Sequence, residues 1–336
     1  MEREAKENAD ALLMEDLDNE HSQLLDADGR VAARRKRRFR TPPVEEASGR
    51  VITAFDSGCA SCMLVGKPRI GKTYAARWIC EAIVELFGPL SWFEIPFEYD
   101  NSQSEGRFFN KFLRSLPHSY PESREGGVIR FRSEEFLIER AKDSKTGTVV
   151  LLLDEAQNLT ERHWVYLAEL SNKIDRAGLS LFTLSTGQPS LYIVRNGLRE
   201  LPGKQNGEFI IGRFFVEMID FRGLQSLEDI RLTLAEVDAS PLGPNDKRLW
   251  LESALPIAYA AGWCLQDISE LIWEAYSEIW ADSGRKTTPE IPMTYFDLLI
   301  RKILGSPQVF NKEKCCVGLM DVKQLITDSQ FEQYIG

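Results

Sequence analysis

A chain of 336 residues, 43% hydrophobic and 27% charged, carries enough apolar side chain for one large domain or two modest ones, which excludes a wholly disordered or fibrous protein. A net charge of -10 argues against a protein that coats nucleic acid over its whole surface. The longest apolar stretch, Ala254 to Leu265, contains Pro256 and Gly262 and falls short of the roughly 18 residues that spanning a bilayer requires, so no membrane association is expected.

The N-terminal stretch MEREAKENADALLMEDLDNE is acidic and polar where a secretory signal is basic and then apolar. Six cysteines, two of them adjacent (Cys315, Cys316), read as reduced thiols, and the expected location is the cytoplasm. Charge is unevenly spread: the first 28 residues hold ten carboxylates against two cations, and the next stretch, GRVAARRKRRFRTPP, holds seven cations and no acid. Such a basic block either contacts phosphates or pairs with its acidic neighbour. Residues 1–45 read as an arm ending in Thr41-Pro42-Pro43, which opposes helix continuation.

From Val51 short apolar runs alternate with amphipathic segments, the pattern of an α/β domain over 46–220. Strands are expected at 61–65, 91–96, 148–153 and 179–184, and their unbroken apolar character predicts a parallel sheet covered on both faces. Helices are expected at 72–87, 104–116, 133–141 and 161–177. After Asp220 strand signals stop, and helices at 226–237, 246–261, 265–282 and 295–304 predict an all-helical domain over 221–304. Residues 305–336 show weak periodicity and read as a tail that packs on a partner.

Met63-Leu64-Val65 runs into Gly66-Lys67-Pro68-Arg69-Ile70-Gly71-Lys72-Thr73, which matches G-x-x-x-x-G-K-[ST] between a strand and a helix. The glycines let successive amides turn inward and the helix N-terminus adds partial positive charge, so the loop forms an anion cradle. Lys72 is expected on the β- and γ-phosphates of ATP, Thr73 on Mg²⁺, and Tyr74 beside the bound nucleotide. Val149 to Leu153 then delivers Asp154 and Glu155 to the same sheet edge. Asp154 is placed to hold Mg²⁺ and Glu155 to polarise the attacking water; the bland alternative makes them a helix cap. The strand beginning at Leu179 ends in Ser185, Thr186, Gly187 and Gln188, any polar member of which could sense the γ-phosphate.

Cys59-Ala-Ser-Cys62 is half a zinc motif without a second pair and reads as structural thiols. Trp250, Trp263, Trp273 and Trp280 read as core.

The order of these parts is that of an AAA+ ATPase, a P-loop NTPase core followed by a smaller helical lid domain. The chain resembles the TniB and TnsC type of transposon-encoded AAA+ regulators, with MuB and ExeA-like ATPases as more distant relatives. The resemblance rests on Arg38-Phe39-Arg40-Thr41-Pro42, GKPRIGKT, LLLDEAQNL, STGQPSL and Gly212-Arg213-Phe214-Phe215, and covers roughly residues 38–280. It implies a bacterial ATP hydrolase whose subunits form rings or helical filaments on double-stranded DNA without sequence preference. Such an assembly recruits a transposase at a site chosen by a TniQ-like target-selection protein. It favours Gln188 as the sensor and Arg213 as the arginine that reaches a neighbour's γ-phosphate, with Arg195 and Arg199 as rivals. It places DNA contacts between the second and third strands, where Arg107, Lys111, Arg114, Arg130 and Arg132 lie. Gly262 to Asp267 lacks the Gly-x-x-Arg of a second sensor. The competing reading is an ExeA-like nucleotide switch acting on protein partners without DNA; a DEAD-box helicase needs a second RecA-like domain for which the chain is too short after 220.

Overall fold

The computed structural model describes residues 39–100, 102–117, 126–200, 205–243, 246–314 and 317–335. The acidic leader, the basic block through Arg38, and Cys315 and Cys316 lie outside the described residues. Contacts divide the chain into two compact units, one of Arg40–Asp229 with Lys286–Phe296, the other of Ile230–Arg285 and Asp297–Gly336 with Phe39.

The first unit is built on five parallel strands: β1 (Ser61–Val65), β2 (Trp92–Pro96), β3 (Thr148–Asp154), β4 (Ser180–Gly187) and β5 (Glu217–Asp220), in the order β2-β3-β4-β1-β5. Its helices are α1 (Pro42–Asp56), α2 (Lys72–Phe87), α3 (Glu105–Arg114), α4 (Gly126–Asp143), α5 (Glu161–Arg176), α6 (Ser190–Glu200) and α7 (Gln205–Phe214). Successive side chains of each strand point to opposite faces. Val149, Leu151, Leu153 and Leu181 pack with α3, α4 and α5, whereas Val150, Leu152, Phe182 and Leu184 pack with α1 and α2. With both faces covered, the strands need no polar alternation, which is why they read as continuous apolar runs.

Two differences from expectation concern this unit. Thr41-Pro42-Pro43 does not close an arm; it opens α1, with Thr41 in extended conformation at the N-cap and Pro42 at the first helical position, where a missing N–H costs nothing. Val44, Ala47 and Val51 form the buried stripe of that helix. The second is β5: Glu217-Met-Ile-Asp220 is only four residues long and one-sidedly apolar, too brief for periodicity to register.

The second unit is mainly helical but not wholly so. Residues 246–261, expected as one helix, divide into strand β7 (Asp246–Leu249), paired antiparallel with β6 (Pro241–Gly243), and two short helices, Trp250–Ala254 and Pro256–Ala260. Pro256 enforces the break, because it lacks a donor and drives Leu255 out of helical dihedrals (φ -133°, ψ 62°). A helix at Ser269–Asp282 is preceded by a 3-10 turn, Leu265–Ile268, whose N–H groups at Leu265 and Gln266 donate to Asp238 at 3.0 and 3.1 Å. Burial pushes the Asp238 carboxyl up to about 6 despite those donors. The expected tail is core instead: helix Leu319–Thr327 buries Val322 and Ile326, Lys323 pairs with Glu278, and Phe331 packs edge-on against Tyr276 at 4.9 Å. Trp250 and Trp280 are buried.

Arg222, just beyond β5, ties the first unit together. Its guanidinium donates to Glu46 of α1 and, at 2.6 Å, to Asp229, a carboxylate 9% exposed. Burial pushes the Asp229 carboxyl up, but Arg222 and the N–H of Gln225 outweigh it and hold the group below the ordinary carboxylate range. Because the folded-state value is depressed, the stabilisation is complete above the unfolded value of about 3.9 and fades as pH falls through the folded one. Arg222→Ala is expected to lower unfolding stability by about 2–3 kcal/mol at pH 7, by stranding Asp229. Urea midpoints of variant and wild type should draw together as pH falls below about 4 and meet only once pH has passed through the depressed folded-state value of Asp229, where the group is neutral in both.

Candidate nucleotide site

The site forms at the C-terminal edge of the sheet, where β1, β3 and β4 end side by side: Val65 is registered against Gly187, and Leu153 against Ser185. Gly66 opens the loop and donates its N–H to the Gly187 carbonyl at 3.1 Å. A Cβ on Gly66 would lie 2.3 Å from the Phe221 carbonyl oxygen, so the loop leaves the sheet through a gap only glycine fits. Gly71, at φ 109°, sets the last amides before α2 in a conformation that L-residues rarely adopt. Lys72 is 6% exposed, and its ammonium is held inside the curl by the carbonyls of Gly66 (2.9 Å) and Lys67 (2.8 Å). Burial lowers the Lys72 pKa, while Glu155 and Asp154 pull it back.

Asp154 is the junction of the site. Its Oδ1 accepts the Thr73 hydroxyl at 2.8 Å and also the Thr186 hydroxyl, and Thr186 Oγ1 in turn lies 3.4 Å from the Glu155 N–H. Phosphate-loop helix, carboxylate strand and middle strand thus converge on one oxygen. The pairing of Thr73 Oγ1 with Asp154 is a hard-oxygen donor set suited to Mg²⁺. Glu155 stands at φ 56°, ψ 44°, an unusual backbone for a residue with a Cβ, and its carboxylate accepts from Gln157 Nε2. Asn158 anchors the following turn by donating to the Phe97 carbonyl at 2.7 Å, and Phe97 N–H donates to the Asp154 carbonyl at 3.0 Å.

Of the three sensor candidates, Thr186 enters the cluster. Ser185 projects from the other face of β4 and its buried hydroxyl has no hydrogen-bond partner among the described residues, while Gln188, just past the strand, contributes its main-chain N–H to Gln157 Oε1 at 3.0 Å. Gln157 and Asn158 are residues that sequence reasoning passed over, although both sit inside the LLLDEAQNL motif it singled out.

The outer face of the loop carries a strap from the same unit. Glu290 accepts from Lys67 at 2.5 Å, and Tyr295 Oη accepts from Arg69 at 2.6 Å. Thr294 Oγ1 donates to the Arg69 carbonyl at 2.9 Å, and Met293 lies 3.3 Å from where a Cβ on Gly71 would stand.

The remaining expected residues lie elsewhere. Arg213 precedes β5 and so sits at the opposite, N-terminal edge of the sheet, bonded to Ser171 and, at 2.9 Å, to Asp175. Arg195 has a buried Nε with no hydrogen-bond partner among the described residues. Arg107 and Lys111 on α3 are 60% and 48% exposed, and each lies 2.9 Å from Asp100. Arg130 differs from the DNA-contact expectation: it is bound by Glu105, Glu134 and Glu169 at 2.7–2.9 Å, so its charge is already answered within the fold. Arg114 lies at the end of α3 and Arg132 on α4.

Residues 55–192 match the family model described as an AAA domain. No curated protein matches the chain. Solved structures that match include Cdc6p from Pyrobaculum aerophilum, 16% identical over 88% of this chain and 95% of that one, with a TM-score of 0.41. Others are two Aeropyrum pernix structures. ORC2, in ADPNP-ADP complexes, is 12% identical over 92% and 99%, TM-score 0.44. ORC1 in complex with DNA is 14% identical over 87% and 82%, TM-score 0.38. The fold is that of an AAA+ P-loop NTPase, with a five-stranded parallel sheet flanked by helices and a helical C-terminal region. Among the described residues no helix is long and apolar enough to cross a membrane.

Gly66→Ala should reduce stability by about 1–3 kcal/mol through overpacking against Phe221 and should abolish nucleotide retention. Gly49→Ala, on α1 with open space around it, should leave both intact. Thermal denaturation and a fluorescent-nucleotide titration of the two variants check this.

Proposed function

We propose that the protein is a bacterial, cytoplasmic AAA+ ATPase that assembles with copies of itself on double-stranded DNA and recruits or activates a transposase at a selected site. The observation that carries the catalytic part is the junction at Asp154, which gathers Thr73, Thr186 and the backbone of Glu155 beside the phosphate loop. The amides of residues 66–73 and the Lys72 ammonium bind the triphosphate, while Thr73 and Asp154 are the residues that would hold Mg²⁺. Bound magnesium would neutralise charge on the phosphates. Glu155 accepts a proton from the attacking water, Thr186 holds Asp154 in place, and Gln188, just past the end of β4, is proposed as the γ-phosphate sensor.

Arg213 is proposed as the finger, and its position at the sheet edge opposite the phosphate loop suits action on a neighbour's nucleotide and not on its own. Such a cation stabilises charge in the transition state and makes hydrolysis depend on assembly. The DNA and transposase part is supported by the motif resemblance, through STGQPSL and Gly212-Arg213-Phe214-Phe215. Among the α3 cations, the exposed Arg107 and Lys111 are the best placed for phosphate contact without base reading. A TniQ-like protein is the proposed source of target choice.

Glu155→Gln is expected to bind ATP with wild-type affinity, lose turnover by about 100-fold or more, and accumulate assembled complexes. Arg213→Ala should bind ATP as a monomer yet lose the concentration dependence of hydrolysis. Electron microscopy with a non-hydrolysable ATP analogue, with and without duplex DNA, tests the assembly. DNA-dependent rings or filaments support the reading, and their absence with hydrolysis intact favours a switch acting on protein partners.

A further inference from the structure

The amide of Gln157 is used from both ends. Its Nε2 donates to Glu155 Oε2, and its Oε1 accepts the N–H of Gln188, the first residue beyond β4, at 3.0 Å. Space is cleared for it: a Cβ at Gly187 would lie 2.8 Å from Gln157 Oε1 and 2.2 Å from Leu191 Cδ1. The turn that carries Gln157 is itself fixed, since Asn158 is pinned to the Phe97 carbonyl and the Asn158 N–H donates to the Glu155 carbonyl at 2.9 Å. Glu155, in left-handed backbone, therefore has its carboxylate steered by one amide whose other end reads the position of the β4 terminus.

We propose that Gln157 is a positioning residue for hydrolysis. By occupying Oε2 of Glu155 it directs Oε1 toward the attacking water, and by holding Gln188 N–H it makes that orientation follow the end of β4, the same strand end whose Thr186 hydroxyl holds Asp154. A displacement of Gly187–Gln188 releases the Gln157 amide and with it the aim of the Glu155 carboxylate. Nucleotide binding does not depend on the bridge, because neither partner belongs to the phosphate cradle. This rests on the hydrolytic role proposed above for Glu155.

The test is a kinetic double-mutant cycle on the full chain with Mg-ATP: wild type, Gln157→Ala, Gln157→Glu, Glu155→Gln and Gln157→Ala/Glu155→Gln, each with a fluorescent-nucleotide titration and a melting curve. Gln157→Ala is expected to lower kcat at least about tenfold with KM and nucleotide affinity within about twofold. Gln157→Glu keeps the size and the acceptor for Gln188 but sets a carboxylate against Glu155, and should lower kcat at least as far with an unchanged melting temperature. In the Glu155→Gln background Gln157→Ala should produce no further loss, as expected for residues acting as a unit. Wild-type kcat in both Gln157 variants, or losses that multiply in the double variant, overturns the proposal. Equal losses in kcat and nucleotide affinity overturn it too, since they mark a merely structural residue. If Glu155→Gln itself retains turnover, the assignment of Glu155 fails first, so the two failures are told apart.

Discussion

The constraint on which the site depends is that one carboxylate oxygen, Asp154 Oδ1, accepts hydroxyls from two elements that are distant in the chain, Thr73 on α2 and Thr186 on β4. That meeting requires β4 to lie between the strand that feeds the phosphate loop and the strand that ends in the acids, which the order β2-β3-β4-β1-β5 provides. It also requires Asp154 and Thr186 to project from the face of the sheet that carries α2. Strand alternation meets this condition, since Leu152 and Leu184, two residues earlier on each strand, pack in the same core as Ala75, Ala76 and Ile79 of that helix. The apolar packing beneath the site therefore fixes which polar atoms meet above it.

The same alternation explains what sequence reasoning could and could not choose at the end of β4. The run Leu179 to Gln188 announces a buried strand with a polar terminus, but Ser185, Thr186 and Gln188 are chemically interchangeable until their faces are known. Ser185 lies on the face shared with Leu181, and Thr186 on the face shared with Leu184. The phosphate loop and the two acids were legible because each combines a rigid residue pattern with a flanking apolar strand. Short elements were not: β5 is four residues, β6 three and β7 four, below the span over which periodicity separates strand from helix. Pro42 and Pro256 were readable as punctuation, yet proline opens helices as readily as it ends them, and each stands at the first position of one.

Charge shows a similar division. A count of cations between β2 and β3 treats Arg107, Lys111, Arg114, Arg130 and Arg132 alike. Arg130, however, sits among three carboxylates and over the ring of Phe109 at 5.7 Å, a bonding pattern that fastens α3, α4 and α5 to one another. A guanidinium satisfied in this way would have to surrender several charge-assisted hydrogen bonds to meet a phosphate. Arg107 and Lys111 share a single carboxylate, Asp100, whose pKa is held down to about 2 by Lys111 first and by the Ser102 N–H next, and both cations are largely solvated. Each of these solvent-facing cations has a single carboxylate to give up for a phosphate contact, where Arg130 has three.

The phosphate loop itself poses the sharpest separation between motif and environment. Its two inserted cations, Lys67 and Arg69, are both engaged by residues 290–295, more than 220 positions away. Arg69 stands at φ 64°, a conformation unfavourable for a side chain of its size, and it persists because its carbonyl accepts from Thr294 and its guanidinium is held by Tyr295 Oη with the ring beneath it at 5.9 Å. Glu290 is fixed in turn by the Gly223 N–H and Gln225, and Ile291 exchanges both main-chain hydrogen bonds with Leu224. With those side chains turned outward, the inner surface of the loop presents main-chain amides and the one ammonium of Lys72. The strap thus imposes the loop's shape from outside while leaving its anion-binding surface to groups that any P-loop possesses. This is why the motif alone identifies the cradle, and why nothing short of the fold identifies what holds it open.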